Sequence, residues 1–250
     1  HIFEAGIKTA TPSGTGPYAR VFNYPYTGTT VNTIKTYTIE TGSATVSADV
    51  YEAEFAFVQD FELSGSYGES WMMQSNWIAR QMSASTFTGS LTAPTVNECL
   101  FPHTKLYIDA SGGTIGTTQK QGVLMSASVK VTTGLKIVPV GDGNLFYANY
   151  KWTKPEITFS LTLELEDGSV LATERGFHRS NTTRLFRLGI TDGTRILNLD
   201  WAGKYDKVGD YTNSDGNTTV TLDGHALASA TNSISFTASL TNGVAVYGSG

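Results

Sequence analysis

The chain has 250 residues, 40% of them hydrophobic and 16% charged, with a formal net charge of −5. That length buries a sizeable core as one large β domain or two smaller ones. The acidic balance argues against a surface that grips nucleic acid, which needs a basic stripe, but not against one that nucleic acid passes without sticking. Thr is the commonest residue and Gly and Ser are abundant, a mixture that favours strands and turns over helices. The single cysteine, Cys99, rules out an intrachain disulfide framework. No apolar run approaches the ~20 residues of a membrane span, and no signal-peptide pattern opens the chain.

Residues 1–30 hold three of the seven prolines together with Tyr18, Phe22, Tyr24 and Tyr26. They show no period and read as an extended arm that docks on something else. Residues 31–50 read as one strand and a loop. From Glu52 to Arg80 the pattern predicts one long β-hairpin. Its first arm puts Phe55, Phe57, Phe61 and Leu63 on an aromatic face and Glu52, Glu54, Asp60 and Glu62 on an acidic one. Gly65 and Gly68 supply the turn. The second arm sets Trp71, Met73 and Trp77 against Gln74, Asn76 and Arg80.

Residues 83–104 read as a connector, KLYID as a short strand and 110–118 as a loop. GVLMSASVKV predicts a strand with Val123, Met125, Ala127, Val129 and Val131 inward and Ser126, Ser128 and Lys130 outward. Residues 138–156 read as a turn-rich excursion. ITFSLTLELE alternates most cleanly, with Ile157, Phe159, Leu161, Leu163 and Leu165 inward. Asp167-Gly168 then signals a hairpin turn, with VLATERGF as the return arm. RLFRLGIT and RILNLDW read as paired strands around Asp192-Gly193, GKYDKVGDYTNSDGNTT as a polar loop, and NSISFTASLTN as the last strand. About ten strands and no long helix predict an all-β sandwich or barrel.

Candidate chemistry is sparse. Asp60 and Glu62 stand two apart on one face, about 7 Å between backbones, near the carboxyl separation of inverting glycosidases. Trp71 and Trp77 lie on the opposite face, so a solvated acidic face explains the carboxylates better than catalysis. His1, His103, His178 and His225 lack zinc-ligand spacing, and Cys99 has no histidine brought to it. GDGN at 141 and SDGN at 214 lack the regular acids of a calcium loop. Asn181 and Asn217 open glycosylation-type triplets of the kind a Thr-rich chain produces by chance. No cofactor, metal or enzymatic activity is expected.

Three stretches carry a resemblance: FVQDFELSGSYGESWMMQSNWIARQ, LNLDWAGKYDKVGDY followed by DGNTT, and NSISFTASLTNGV. From about Ala53 onward their order resembles the major tail tube proteins of long-tailed, siphovirus-type bacteriophages. The resemblance implies an all-β partial barrel with long hairpins, residues 31–250 forming one sandwich domain. Such subunits close into hexameric rings with a continuous lumen β-barrel. The rings stack into a tail tube in the virion, and partners are other copies, a tape-measure protein and tail-end or connector proteins. DNA passes through the lumen without specific binding, and no membrane is involved. If six copies each give four strands, ~24 strands at ~4.8 Å and ~40° tilt leave roughly 35–40 Å of lumen, enough for a duplex. On that reading Glu52, Glu54, Asp60, Glu62, Gln74 and Asn76 line the lumen, where acids repel the phosphates. Tyr18, Phe22, Tyr24 and Tyr26 form the inter-subunit arm. The alternatives are a lectin-like carbohydrate-binding β-sandwich with tryptophans as the sugar platform, and a glycoside hydrolase using Asp60 and Glu62.

Overall fold

Strand-forming sequence dominates, and the computed structural model is all-β; it describes residues 1–250 except 29, 44, 47, 48, 90–96, 166–168, 215 and 246–250. A short helix α1 (Ile2–Gly6) is followed by β1 (Tyr18–Asn23), β2 (Tyr37–Gly42), the long β3 (Val50–Ser66), β4 (Met72–Ile78) and β5 (Gln81–Ala84). After a 3-10 turn at Phe101–His103 come β6 (Thr104–Ala110), β7 (Gln119–Lys120), β8 (Leu124–Thr132), β9 (Leu135–Val138), β10 (Asn149–Trp152) and β11 (Glu156–Glu164). Helix α2 (Ser169–Arg179) leads to β12 (Arg184–Asp192), β13 (Arg195–Val208), β14 (Thr212–Ser214), β15 (Asn217–Ala226) and β16 (Phe236–Asn242).

One antiparallel sheet runs β2, β3, β8, β11, β15, β13, β12, β6, β7. Strands β4 and β5 attach to β3, β14 to β15, β16 to β13, and β1 to β16, while β9 and β10 form a separate ribbon. The sheet wraps on itself, so a single cluster takes side chains from both ends of this path. Alternation explains the filling. Val129 and Val131 of β8, Phe159, Leu161 and Leu163 of β11, and Val220 and Leu222 of β15 all point into it. From the other layer come Phe186, Leu188, Leu199, Trp201 and Phe236. The Phe159 ring lies 4.7 Å from Phe186 and 5.3 Å from Trp201, and Phe186 stacks on Trp201 at 12°. Each such side chain contributes roughly 1.5–3 kcal/mol by leaving water. Gly224 and Gly203 make room for Phe159: a Cβ on either would press into its ring and into neighbouring backbone.

The predicted hairpin is present as β3 and β4, with Leu63 opposite Met73 and Glu62 opposite Gln74. Its single aromatic face is not. The register slips at Gln59, between Val58 and Asp60, and Phe55 takes a positive φ of 54°. A bulge moves the following side chains to the other face. Ala56, Phe57 and Val58 are therefore all buried in succession. Val58, Phe61 and Leu63 enter the main core, whereas Phe57 joins a satellite cluster with Ile34, Leu135 and Tyr147. Arg80, expected with Gln74 and Asn76, instead lies 4.0 Å over the Phe55 ring and donates to the Ala148 carbonyl.

Two other expectations fail. VLATERGF is helical, not a return strand. Leu171, Glu174 and Phe177 fall three apart, and Leu171 and Glu174 are buried against the sheet. Arg184 holds the Glu174 carboxylate through two hydrogen bonds of 3.1 and 2.9 Å, Tyr205 donates a third, and the guanidinium sits over Phe177. The proposed Asp167-Gly168 turn lies outside the described residues. The polar loop after Trp201 is also largely strand: β13 runs on to Val208 and β15 covers Asn217–Ala226. The excursion holds β10, which pairs with β9 just ahead of it, and β5 runs into the start of the connector.

The first 30 residues do not stand apart as an arm within this chain. Strand β1 pairs along β16, and α1 carries Phe3 and Ala5 into the core, with Ile7 after it. Phe22 and Tyr24 are 1% and 2% exposed. Phe22 meets Phe3 at 5.4 Å, and the Tyr24 hydroxyl donates to the Gly6 carbonyl. Those two rings are spent on their own core, which corrects their assignment to contacts with another subunit. Tyr18 is half-buried, and Tyr26 is exposed.

Candidate functional site

The feature that stands out is a continuous polar face on five neighbouring strands, β4, β3, β8, β11 and β15, extended by the end of β13. Register partners in an antiparallel sheet share a face, so the ladder reads the surface directly. One row runs Gln74, Glu62, Lys130, Thr158, His225, Lys204. The next runs Met72, Ser64, Ser128, Ser160, Asp223, Lys207. On the other flank lie Asn76, Asp60, Thr132 and Glu156. The reverse of the same strands is the core, which is why each alternates so strictly.

Side-chain hydrogen bonds tie neighbouring strands together across this face. Asn76 Nδ2 donates to Asp60 Oδ1 at 2.8 Å and Ser160 Oγ to Asp223 Oδ1 at 2.7 Å. Thr162 and Thr221 hydroxyls lie 3.2 Å apart, and His225 Nδ1 is 2.7 Å from Asp206 Oδ1. Lys130, Thr132, Thr158 and His225 are exposed. The surface is thus hydroxyl-lined in its middle, and Lys130 stands next to Glu62, so it is less acidic than β3 alone implied. Strand β4 pairs with β3 alone, leaving its far edge open among the described strands.

Of the expected face residues, Asp60, Glu62, Gln74 and Asn76 do come together here. Glu52 and Glu54 do not. They belong to the first half of β3, which pairs with β2 and β5 as a three-stranded flap beyond the bulge. Ser85 donates to Glu52, and Gln81 to Glu54. Glu40, across from Glu52, accepts the hydroxyl and amide of Thr88, and these bonds lower its carboxyl below the usual range. The flap's reverse carries Ile39, Tyr51 and Met82, all exposed.

The remaining candidates are structural. Trp71 and Trp77 lie half-buried against the main core, their indole N–H groups donating to Thr104 and Ser75, and so offer no exposed sugar platform. Among the described residues no group of three His, Cys, Asp or Glu side chains is placed to hold a metal ion. His103 lies 4.0 Å from Asp192, and His178 contacts the Asp206 carbonyl. Burial pushes the half-buried Cys99 thiol up, helped by Asp192. In GDGN, Asp142 accepts the Asn144 amide as a turn; Asp215 of SDGN lies outside the described residues. Asp109 works against its own burial: hydrogen bonds from Thr117, Thr118 and Gly116 outweigh desolvation and hold its carboxyl low. It fixes the loop between β6 and β7.

Sequence reading missed the far half of the face, Asp223, His225, Lys204 and Lys207, by reading Gly203 to Thr219 as loop and assigning no element to residues 220–231. The signal was present in NTTVTLDGHA, where Val220 and Leu222 alternate with Thr221 and Asp223. No protein-family model matches this chain, and no curated protein matches it either.

Proposed function

We propose that this chain is a structural, self-assembling subunit of a bacteriophage-type tail tube. The observation that carries the reading is the polar face: five strands wide, core-backed, hydroxyl-lined and ending at the open edge of β4. An open edge exposes unpaired backbone groups, and pairing with a neighbour removes it. Copies joined edge to edge with this face inward make a wide barrel with an aqueous bore. Asp60, Glu62, Gln74 and Asn76 then line the channel, and on β4, β3, β8 and β11 Lys130 alone, beside Glu62, could hold phosphates by counterion release. The likeness of the β3–β4 hairpin and of the last strands to tail tube proteins supports the same reading. Hexameric rings, stacking into a tube in the virion, tape-measure and connector partners, and passage of DNA belong to this proposal, and the role is non-enzymatic.

Negative-stain microscopy of the concentrated full chain tests it. Rings or tubes with an open bore are the expected outcome. Protein that stays monomeric by light scattering at every concentration, with no rings on the grid, overturns it.

A further inference from the structure

The β9–β10 ribbon carries an uncovered apolar knob at its tip and an apolar cavity at its base. At the tip Leu145 is fully exposed, and Ile137 and Val140 are exposed on the other limb. The tip is anchored from behind. Tyr147 is buried with Phe57 and Ile34, and its hydroxyl donates to the Phe55 carbonyl. Arg80 lies 5.8 Å from the Phe146 ring and donates to the Ala148 carbonyl. Asp142 accepts the Asn144 amide. Leu145 is thus held out in water by a fixed loop, although covering an aliphatic side chain is favourable.

At the base, Trp152 and Pro155 join Tyr24, Pro25, Val31 and Ala228 around a cavity of about 320 Å³. The polar atoms of its walls are spent elsewhere. The Trp152 indole N–H donates to the Asn32 carbonyl, the Tyr24 hydroxyl to Gly6 and the Thr153 hydroxyl to Gly134. Ring faces and aliphatic carbon remain, and the volume is at the small end of the ~300–1,000 Å³ of ligand pockets. Such a space takes one or two aliphatic side chains better than a hydrogen-bonding ligand. Exposed Val31 and Tyr26 extend its apolar rim. Among the described residues that line it Lys154 alone is charged, Glu156 lying past Pro155 outside the lining. The tip also has one charge, Asp142, and it is of opposite sign.

Resting on the self-assembly reading above, we infer that the ribbon tip of one copy seats in the cavity of a second copy. Leu145 then lies against Trp152 and Tyr24, with Asp142 beside Lys154. Leu145 does not fill the cavity of its own chain, since water surrounds it. Knob and cavity are different surfaces, so every copy gives one contact and receives another, whatever symmetry relates the copies.

Site-specific photocrosslinking tests the contact. Unlabelled and isotope-labelled full chains, each with Leu145 replaced by a diazirine-bearing aliphatic amino acid, are mixed, assembled and irradiated. Crosslinks that join a light to a heavy peptide at residues 24–32, 152–155 or 228 are the expected result. Leu145→Asp brings a charge to the cavity, and Ala228→Trp fills it from its exposed rim. Each should need about tenfold or more protein to assemble, whereas Leu145→Met should assemble as wild type does. Melting curves show that the variants are folded, and Leu145→Asp, at a fully exposed position, decides the matter if Ala228→Trp melts early. Crosslinks confined to one chain or to other surfaces, or Leu145→Asp protein that assembles as wild type does, overturn the contact while wild-type rings leave the self-assembly reading intact. Wild-type protein that stays monomeric at every concentration overturns both.

Discussion

The two halves of β3 make the most instructive comparison in the molecule. Residues 57–66 run through the main sheet, with Phe61 and Leu63 in the core and Asp60 and Glu62 in solvent. Residues 50–56 run through the flap, between β2 and β5, where Ile39, Tyr51 and Met82 stay exposed. Both halves alternate in sequence, but only the second is backed by the main core; in the flap Val50 and Ala56 are buried while Tyr51 stays exposed. A hydrophobic period therefore announces a strand, not a core, and the stability of the two halves should differ accordingly.

Phe61→Ala should give the largest effect, about 3–5 kcal/mol in urea unfolding, because the ring is fully buried and leaves a cavity. A loss under 1 kcal/mol would mean that the body is no better packed than the flap. Trp77→Ala sharpens the boundary. Its indole is half-buried at the margin of the core, so about 1–2 kcal/mol is expected rather than the value for a fully buried ring. Glycan-array binding that disappears in stable Trp77→Ala protein would instead favour the carbohydrate reading.

Acid titration compares two carboxylates, one in each region. Asp109 in the body and Glu40 in the flap are both held below their ordinary values of 3.8 and 4.5. A depressed folded value means that any stabilisation is complete above the unfolded pKa and fades as pH falls through it toward the folded one. Asp109→Asn should destabilise the chain at pH 7 and approach wild type below about pH 4. Glu40→Gln, on a fully exposed group, should leave the melting curve unmoved across the same range. An Asp109→Asn deficit that persists at low pH would show that shape, not charge, holds that loop. The smallest effect belongs to Tyr51→Ser, expected within about 0.5 kcal/mol of wild type, measured by the same urea unfolding. A large loss there would mean that the flap's exposed face is packed after all.

Much of the body was legible in the sequence because its strands keep a two-residue period over long runs. Ile157 to Leu163 and Ala127 to Val131 point where the pattern says, but a register shift near the start of β8 puts Leu124 against the core in place of the expected Met125. What escaped was local geometry that a period does not encode. The bulge at Gln59 separates Phe57 from Phe61 although both are odd-numbered aromatics. Helix α2 was hidden because an Asp-Gly pair preceding it looked like a hairpin turn; Glu174, buried against Arg184 and Tyr205, is spaced from Leu171 as only a helix allows. Strand β15 was lost among the turn residues Gly216 and Asn217. The face as a whole was invisible for another reason: its rows join residues more than 140 positions apart, and only the strand order brings Glu62 into line with Lys204.

The unbroken run of β3 from flap to body also decides how the molecule carries load. A pull on the flap along the strand axis reaches the hydrogen bonds to β4 and β8 in shear, so many must give way together. A pull across the strand would open the same bonds one after another, like a zip. The chain is therefore built stiff along one axis and peelable along the other, and β3 acts as a tie rod between the two regions.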